Sequence, residues 1–236
     1  YNLKHYIDSK EMIQRVADLL MAHQVNAILY IGDQYRDISD ILPKVSIPLI
    51  CVQCYMNGVP SIAIDNEDAA YQMTKYLIER GHKRIGLITG ILDAGKLRMQ
   101  GVIKAMREMN LHLDERFVFS GNWSFDAGVS AGKQLAAMEN PPTAVFAFCD
   151  SSAAGLIAEL REKNPALLRQ LSIAGFDDYI GGYLTPRLTT VAAPFHQIGY
   201  CAAQAAGDLT EGRSIEQRMV LPCRIVERES VYDARI

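Results

Sequence analysis

The 236-residue chain is 49% apolar and 22% charged with a formal net charge of -3, a balance that excludes a disordered tail and allows one large domain or two smaller ones. It has no apolar run long enough to span a bilayer, and 24 basic against 27 acidic residues give no basic field that would attract a phosphate backbone. The odd set Cys51, Cys54, Cys149, Cys201 and Cys223, scattered through apolar segments, fits buried thiols in a reducing compartment, hence the cytoplasm, better than a disulfide framework.

Residues 1–7 read as a strand, and Asp8 can cap a helix whose apolar positions Met12, Ile13, Val16, Leu19 and Leu20 follow helical spacing. Strands follow at 27–31, 47–52 and 61–64. A helix over 66–80 ends at Gly81, a natural left-handed cap, before a strand at 84–89. Beyond it come a helix near 96–110, a strand at 117–120, a helix near 124–139, and a strand at 144–148 after Pro141-Pro142. Asp150 is placed as the cap of a helix running through Lys163. A strand at 171–175, a long helix with Pro194 in its first turn reaching about Leu209, and strands pairing at the end complete the chain. Strand-like runs alternating with amphipathic helices mark an α/β fold of parallel sheets covered by helices on both faces. No internal repeat or low-complexity linker interrupts the alternation.

Three short motifs are set aside on geometry. Gly128-Val129-Ser130-Ala131-Gly132 spells a nucleophile elbow, but that device needs its serine on a sharp turn directly after a strand, and Ser130 falls inside a predicted helix. Cys51-Val52-Gln53-Cys54 spells a redox motif, yet a reactive pair needs a helix N-terminus to lower the thiol pKa, and on a strand residues three apart face opposite sides. Asn122-Trp123-Ser124 spells a glycosylation acceptor, without meaning in the cytoplasm. The five histidines are dispersed, His82 reading as a capping or turn residue after Gly81. No phosphate-cradling loop, zinc spacing or catalytic triad is found. Neither a cofactor, a metal nor a catalytic residue is therefore expected.

The closing run Leu221-Pro222-Cys223-Arg224-Ile225-Val226-Glu227-Arg228-Glu229-Ser230-Val231 resembles the ending of lactose/galactose-type (LacI/GalR) repressors. Three more segments agree with it in order: Ile64-Asp65-Asn66-Glu67 leading to Tyr76 through Gly86, then Ser172-Ile173-Ala174-Gly175-Phe176-Asp177-Asp178, then Leu188-Thr189-Thr190-Val191. The resemblance implies two doubly wound parallel-sheet lobes of the periplasmic-binding-protein type, with the chain crossing three times between them. An N-terminal lobe would take residues 1–64 and 193–220, and a C-terminal lobe residues 65–192 and 221–236. The crossings would act as a hinge and the ligand would lie in the cleft. In that family an earlier strand and helix and a helix-turn-helix DNA-binding domain precede the position of Tyr1, so a fragment is expected, which intact mass would test.

The same resemblance nominates ligand-binding residues. Arg98 matches an arginine that reaches the ligand, and its fork of donors suits two neighbouring hydroxyls. Asp177 ends an apolar strand, where open sheets place ligands; Asp178 is the adjacent alternative, read rather as a turn or capping residue. Trp123, the single tryptophan, stands where relatives stack an aromatic on the ligand, and an indole packs on a pyranose face. Gln53 stands where many relatives carry aspartate, and Cys54 replaces an aromatic of purine-binding relatives. Asp33 and Asp65 are lesser candidates, with hinge or capping duty the alternative, and Cys149-Asp150 replaces a common Asn-Asp pair. The function implied is the core of a dimeric transcriptional repressor whose operator contacts lie in the helix-turn-helix head and whose effector is a sugar, with a purine second. It would be neither an enzyme nor membrane-bound. The alternative is a secreted or periplasmic sugar-binding protein of a transport system.

Overall fold

The computed structural model describes residues 15, 18, 19, 22–32 and 47–234. The strand expected over 1–7, the helix start at Asp8 and the candidate Asp33 lie outside the described residues, whereas Arg15, Asp18, Leu19 and Ala22 are helical. The chain divides into two compact units, Tyr1–Ala63 with Phe195–Leu221 and Ile64–Pro194 with Pro222–Ile236. It therefore passes between units three times.

In chain order the strands and helices are β1 (Ile28–Ile31), β2 (Leu49–Val52), β3 (Ser61–Ile64), α1 (Asn66–Glu79), β4 (Ile85–Ile88), α2 (Leu92–Glu108) and β5 (Val118–Phe119). There follow α3 (Phe125–Ala136), β6 (Ala144–Ala147), α4 (Asp150–Lys163), α5 (Pro165–Leu168), β7 (Ser172–Asp177) and β8 (Thr189–Ala192). The chain closes on α6 (Phe195–Thr210), β9 (Arg218–Leu221) and β10 (Arg224–Val226). Single 3-10 turns precede β5 and β8. This is the α/β class expected from the alternation.

The first unit carries a sheet in the order β1-β2-β3-β9, with β1, β2 and β3 mutually parallel. The second has the order β10-β8-β7-β6-β4-β5. Its neighbours are parallel except β10, which runs antiparallel to β8. The last two strands thus join different sheets and do not pair with each other. In β4, β6 and most of β7 every residue is buried, as expected of parallel strands covered on both faces. Ile88, Phe119, Leu135, Val145, Leu156 and Ile173 form the main core of this unit.

Two local readings of the sequence are corrected by packing, and a third is extended. The helix placed near 96–110 begins at Leu92, because Gly95 does not break it but lies close against the backbone of Gly90. The cap of α4 is Cys149, whose sulfur accepts from the Ser152 N–H; Asp150 is already helical and its carboxylate turns inward. His82 caps α1 as expected, its N–H donating to the Leu77 carbonyl at 3.2 Å, but its ring does more. Its Nδ1 lies 3.0 Å from Thr143 Oγ1 and its Nε2 2.9 Å from the Tyr232 carbonyl oxygen, so the buried ring clasps the C-terminal segment. Burial lowers its pKa.

Candidate functional site

In the second sheet the chain leaves β4 for β5 on one side and returns to β6 on the other. The carboxyl ends of these strands flank the point where the winding direction reverses, the place where open α/β sheets receive ligands. Backbone strain gathers at strand exits. Of the seven described non-glycine residues with positive φ, five lie at the end of a strand or within four residues after it: Gln53 at 63°, Leu92 at 68°, Trp123 at 67°, Asp177 at 102° and Asp178 at 56°. Such conformations cost L residues about 1 kcal/mol or more and persist where the surroundings impose them.

Arg98 projects from the buried face of α2 and is itself only 7% exposed. Its Nε donates to Asn66 Oδ1 at 2.8 Å, drawing in the first turn of α1, and its Nη1 donates to the carbonyl of Phe148 at the exit of β6. The guanidinium lies 3.4 Å from the Phe176 ring centroid and 5.2 Å from that of Trp123. Its Nη2 stands 3.6 Å from Asp177 Oδ1. One cation therefore ties together α1 and the exits of β5, β6 and β7. A flat guanidinium can do this because its donors and its π-face act at once.

Asp177 and Trp123 sit where the strand pattern placed them, at exits. Burial raises the Asp177 carboxyl pKa, opposed by the nearby Arg98 charge. Asp178 pairs at 2.7 Å with Arg228, which also donates to the Leu188 carbonyl, so Asp178 pins the loop after β7. The Trp123 indole lies across Gly90, where a Cβ would strike the ring. Its buried Nε1–H has no hydrogen-bond partner.

The remaining candidates are placed differently. Asp65 caps α1, accepting from the Asp68 N–H at 2.9 Å. Gln53 follows β2 in the other unit, its N–H donating to the Ile62 carbonyl at 2.9 Å. Sequence reasoning missed Asn66, Phe176 and the Phe148 carbonyl as partners of Arg98. Asn66 lay within a quoted run, but no spacing signals that its amide faces a helix 32 residues on.

A family model described as periplasmic binding protein-like domain matches residues 74–231. The repressor CytR of Escherichia coli K12 is 30% identical over 220 residues, covering 90% of this chain and 64% of that protein. The ribose operon repressor of Haemophilus influenzae is 30% identical over 234 residues, covering 97% of this chain and 70% of its own length. The chain belongs to the LacI family. Among solved structures, a transcriptional regulator CelR in complex with cellobiose superposes on this LacI-family chain with a TM-score of 0.83 at 28% identity, covering 94% of this chain and 71% of that one.

Asp150 is the buried charge of this LacI-family site that sequence reasoning misjudged. Only 1% exposed, its Oδ2 accepts from the Ile180 and Gly181 N–H groups at 3.3 and 3.2 Å, and its Oδ1 from Thr190 Oγ1 at 2.6 Å. It braces the loop after β7 against β8. Gly175 is required beside it, since a Cβ there would meet Asp150 Oδ1 and Leu188. Burial pushes the Asp150 pKa up to about 6, the bond from Thr190 opposing.

A folded pKa raised above the ordinary 3.8 means that the native state holds the proton more tightly. The resulting stability is complete below pH 3.8 and lost as pH rises through about 6. The shift corresponds to roughly 3 kcal/mol. Denaturant midpoints measured from pH 4 to 7 should therefore fall more steeply for the parent than for Asp150→Asn, and parallel profiles would refute the assignment.

Two thiols complete the surroundings. Burial raises the pKa of Cys149, whose sulfur is engaged by Ser152. Cys223, which feels the charges of Arg98 and Asp177, is pushed up to about 12, chiefly by burial. Both are held as neutral thiols.

Proposed function

We propose that this chain is the effector-binding and dimerisation core of a repressor-type transcription regulator, taking a sugar as its effector at the strand exits around Arg98. The observation that carries this reading is the placement of the Arg98 guanidinium among Phe176, Trp123 and Asp177. Fork, apolar platform and acceptor suit a polyhydroxylated ring. The unpartnered Trp123 N–H supports it further, because an effector oxygen reaching it would relieve a cost of about 1–3 kcal/mol. The cellobiose complex of a relative points to the same ligand class.

An effector can shift the regulator only by binding one conformation better than another. In a two-fold homodimer that shift changes the spacing of paired helix-turn-helix heads, assigned to residues outside these 236, and so operator affinity. The setting is the cytoplasm and the role non-enzymatic. The names of the relatives, repressors both, weigh against a periplasmic transport protein. Among the described residues no helix is long and apolar enough to cross a membrane. Gln53 belongs to the other unit and Asp33 lies outside the described residues; the part of each in effector binding is tested by its own alanine variant.

Screening sugars, sugar phosphates and purines by thermal shift, with the emission of the single tryptophan as a second signal, tests the proposal. A sugar at about 100 times its Kd adds about 2.7 kcal/mol of stability. Stabilisation by purines alone would overturn the ligand class, and no response to any compound would overturn the site.

A further inference from the structure

The reading of Cys51-Val52-Gln53-Cys54 as a strand predicted sulfurs on opposite faces. The structure overturns that. β2 ends at Val52, and Gln53, with φ 63°, turns the chain back on itself. The turn brings the two cysteines into one cluster: Cys54 Sγ donates to the Tyr30 carbonyl at 3.7 Å, and a side-chain hydrogen bond with Cys54 raises the Cys51 pKa. Both cysteines are buried in one small cluster with Leu49 and Met56.

We propose that Cys51 and Cys54 are a modification site, a dithiol that peroxide converts reversibly to an intramolecular disulfide at the exit of β2. The geometry favours this because the two side chains pack into one buried cluster across the left-handed turn at Gln53, so the bond would join neighbours already within one cluster. In the first step the Cys54 sulfur attacks one peroxide oxygen, the O–O bond breaks, and Cys54 becomes a sulfenic acid with loss of one water. In the second the Cys51 sulfur attacks that sulfenic sulfur, the S–O bond breaks, and a second water leaves with the Cys51 proton. Both sulfurs are oxidised by one electron each and hydrogen peroxide is reduced to two waters.

The hydrogen bond with Cys54, followed by burial, holds the Cys51 thiol protonated, so the pair is inert in the closed state, as buried thiols are. Access comes by opening of the turn over 53–60, whose tip carries exposed Asn57 and Gly58, the latter at φ 74°. The site responds to sustained oxidant, and the ring it closes encloses Gln53 and fixes its backbone. This proposal is independent of the effector reading, and its test needs no effector.

The folded full chain is exposed to hydrogen peroxide, alkylated in denaturant and digested with trypsin. The fragment 45–75 holds Cys51 and Cys54 and no other cysteine. The expected result is a fragment lighter by two hydrogens that resists alkylation, with dithiothreitol restoring two alkylation sites. Cys54→Ser and Cys51→Val abolish the mass loss; should either fail to fold, the parent result decides alone. The proposal is overturned if both cysteines stay fully alkylatable at a peroxide dose that oxidises the half-buried Cys201 and Cys223. It is equally overturned if either is found bridged elsewhere or converted only to irreversible acids.

Discussion

Replacing Arg98 by alanine is expected to lower stability by about 2–4 kcal/mol and to abolish any stabilisation by sugar. The reason lies in what the guanidinium leaves behind. Asp177 loses its counter-charge at a position where burial already raises its pKa, and the Asn66 amide oxygen and Phe148 carbonyl lose a donor. The side chain of Asp177 is 27% exposed, so water recovers part of the loss, which sets the effect below the full cost of breaking a deeply buried pair. Arg98→Lys separates fold from function. It keeps a positive charge near Asp177 but has no fork to reach Asn66 and Phe148 together and no flat face for Phe176. The expected result is a folded protein, within about 1–2 kcal/mol of the parent, that has lost its ligand response. Denaturant melts with and without saturating sugar measure both. A lysine variant with unchanged ligand response would show that the fork is not what grips the effector.

How far the sequence could be read depended on whether a signal was local. The alternation of strands and helices is local, and it places Trp123 and Asp177 at strand exits without any knowledge of tertiary contacts. The closing run was legible as a family signature, but its physical content appears only in the fold. Glu227 accepts from Tyr76 and Arg80, Arg228 pairs with Asp178, Glu229 with Arg187, and Ser230 donates to the Ile173 carbonyl. Four successive side chains thus strap α1, β7 and the loop before β8 to the chain end. Nothing in their spacing reveals this, because each partner lies far away in sequence. Asp150 failed for the same reason: a carboxylate beside a helix start reads as a cap, and only the neighbouring loop shows that it faces inward. The cysteine pair failed through backbone. Alternation along a strand holds until the strand stops, and no residue preference announces that Gln53 takes a left-handed turn there.

Gly155→Ala is expected to cost about 3 kcal/mol, more than most single substitutions, because the added methyl meets atoms that cannot step aside. On α4 a Cβ at Gly155 would run into the Phe125 carbonyl and the Val129 amide of α3, while a Cβ at Gly128 on α3 would run into the Ser152 carbonyl and the Leu156 amide of α4. The two helices meet backbone to backbone at two points, and α3 and α4 cover the core around Leu135, Leu156 and Ile173. The same packing explains the Gly-x-Ser-x-Gly spelling at 128–132. Gly128 and Gly132 are small because α4 lies against them, and Ser130 sits exposed within the helix. Since either substitution forces the same pair of helices apart, the double variant Gly128→Ala, Gly155→Ala should cost clearly less than the sum of the singles. Gly199→Ala supplies the opposite sign. Among the described residues nothing lies within 4 Å of a methyl there on α6, so helix propensity alone should add about 0.5–1 kcal/mol. Denaturant melts of the four variants decide it: additive costs in the double variant, or a Gly155→Ala chain as stable as the parent, would mean that the helices are not held at glycine distance.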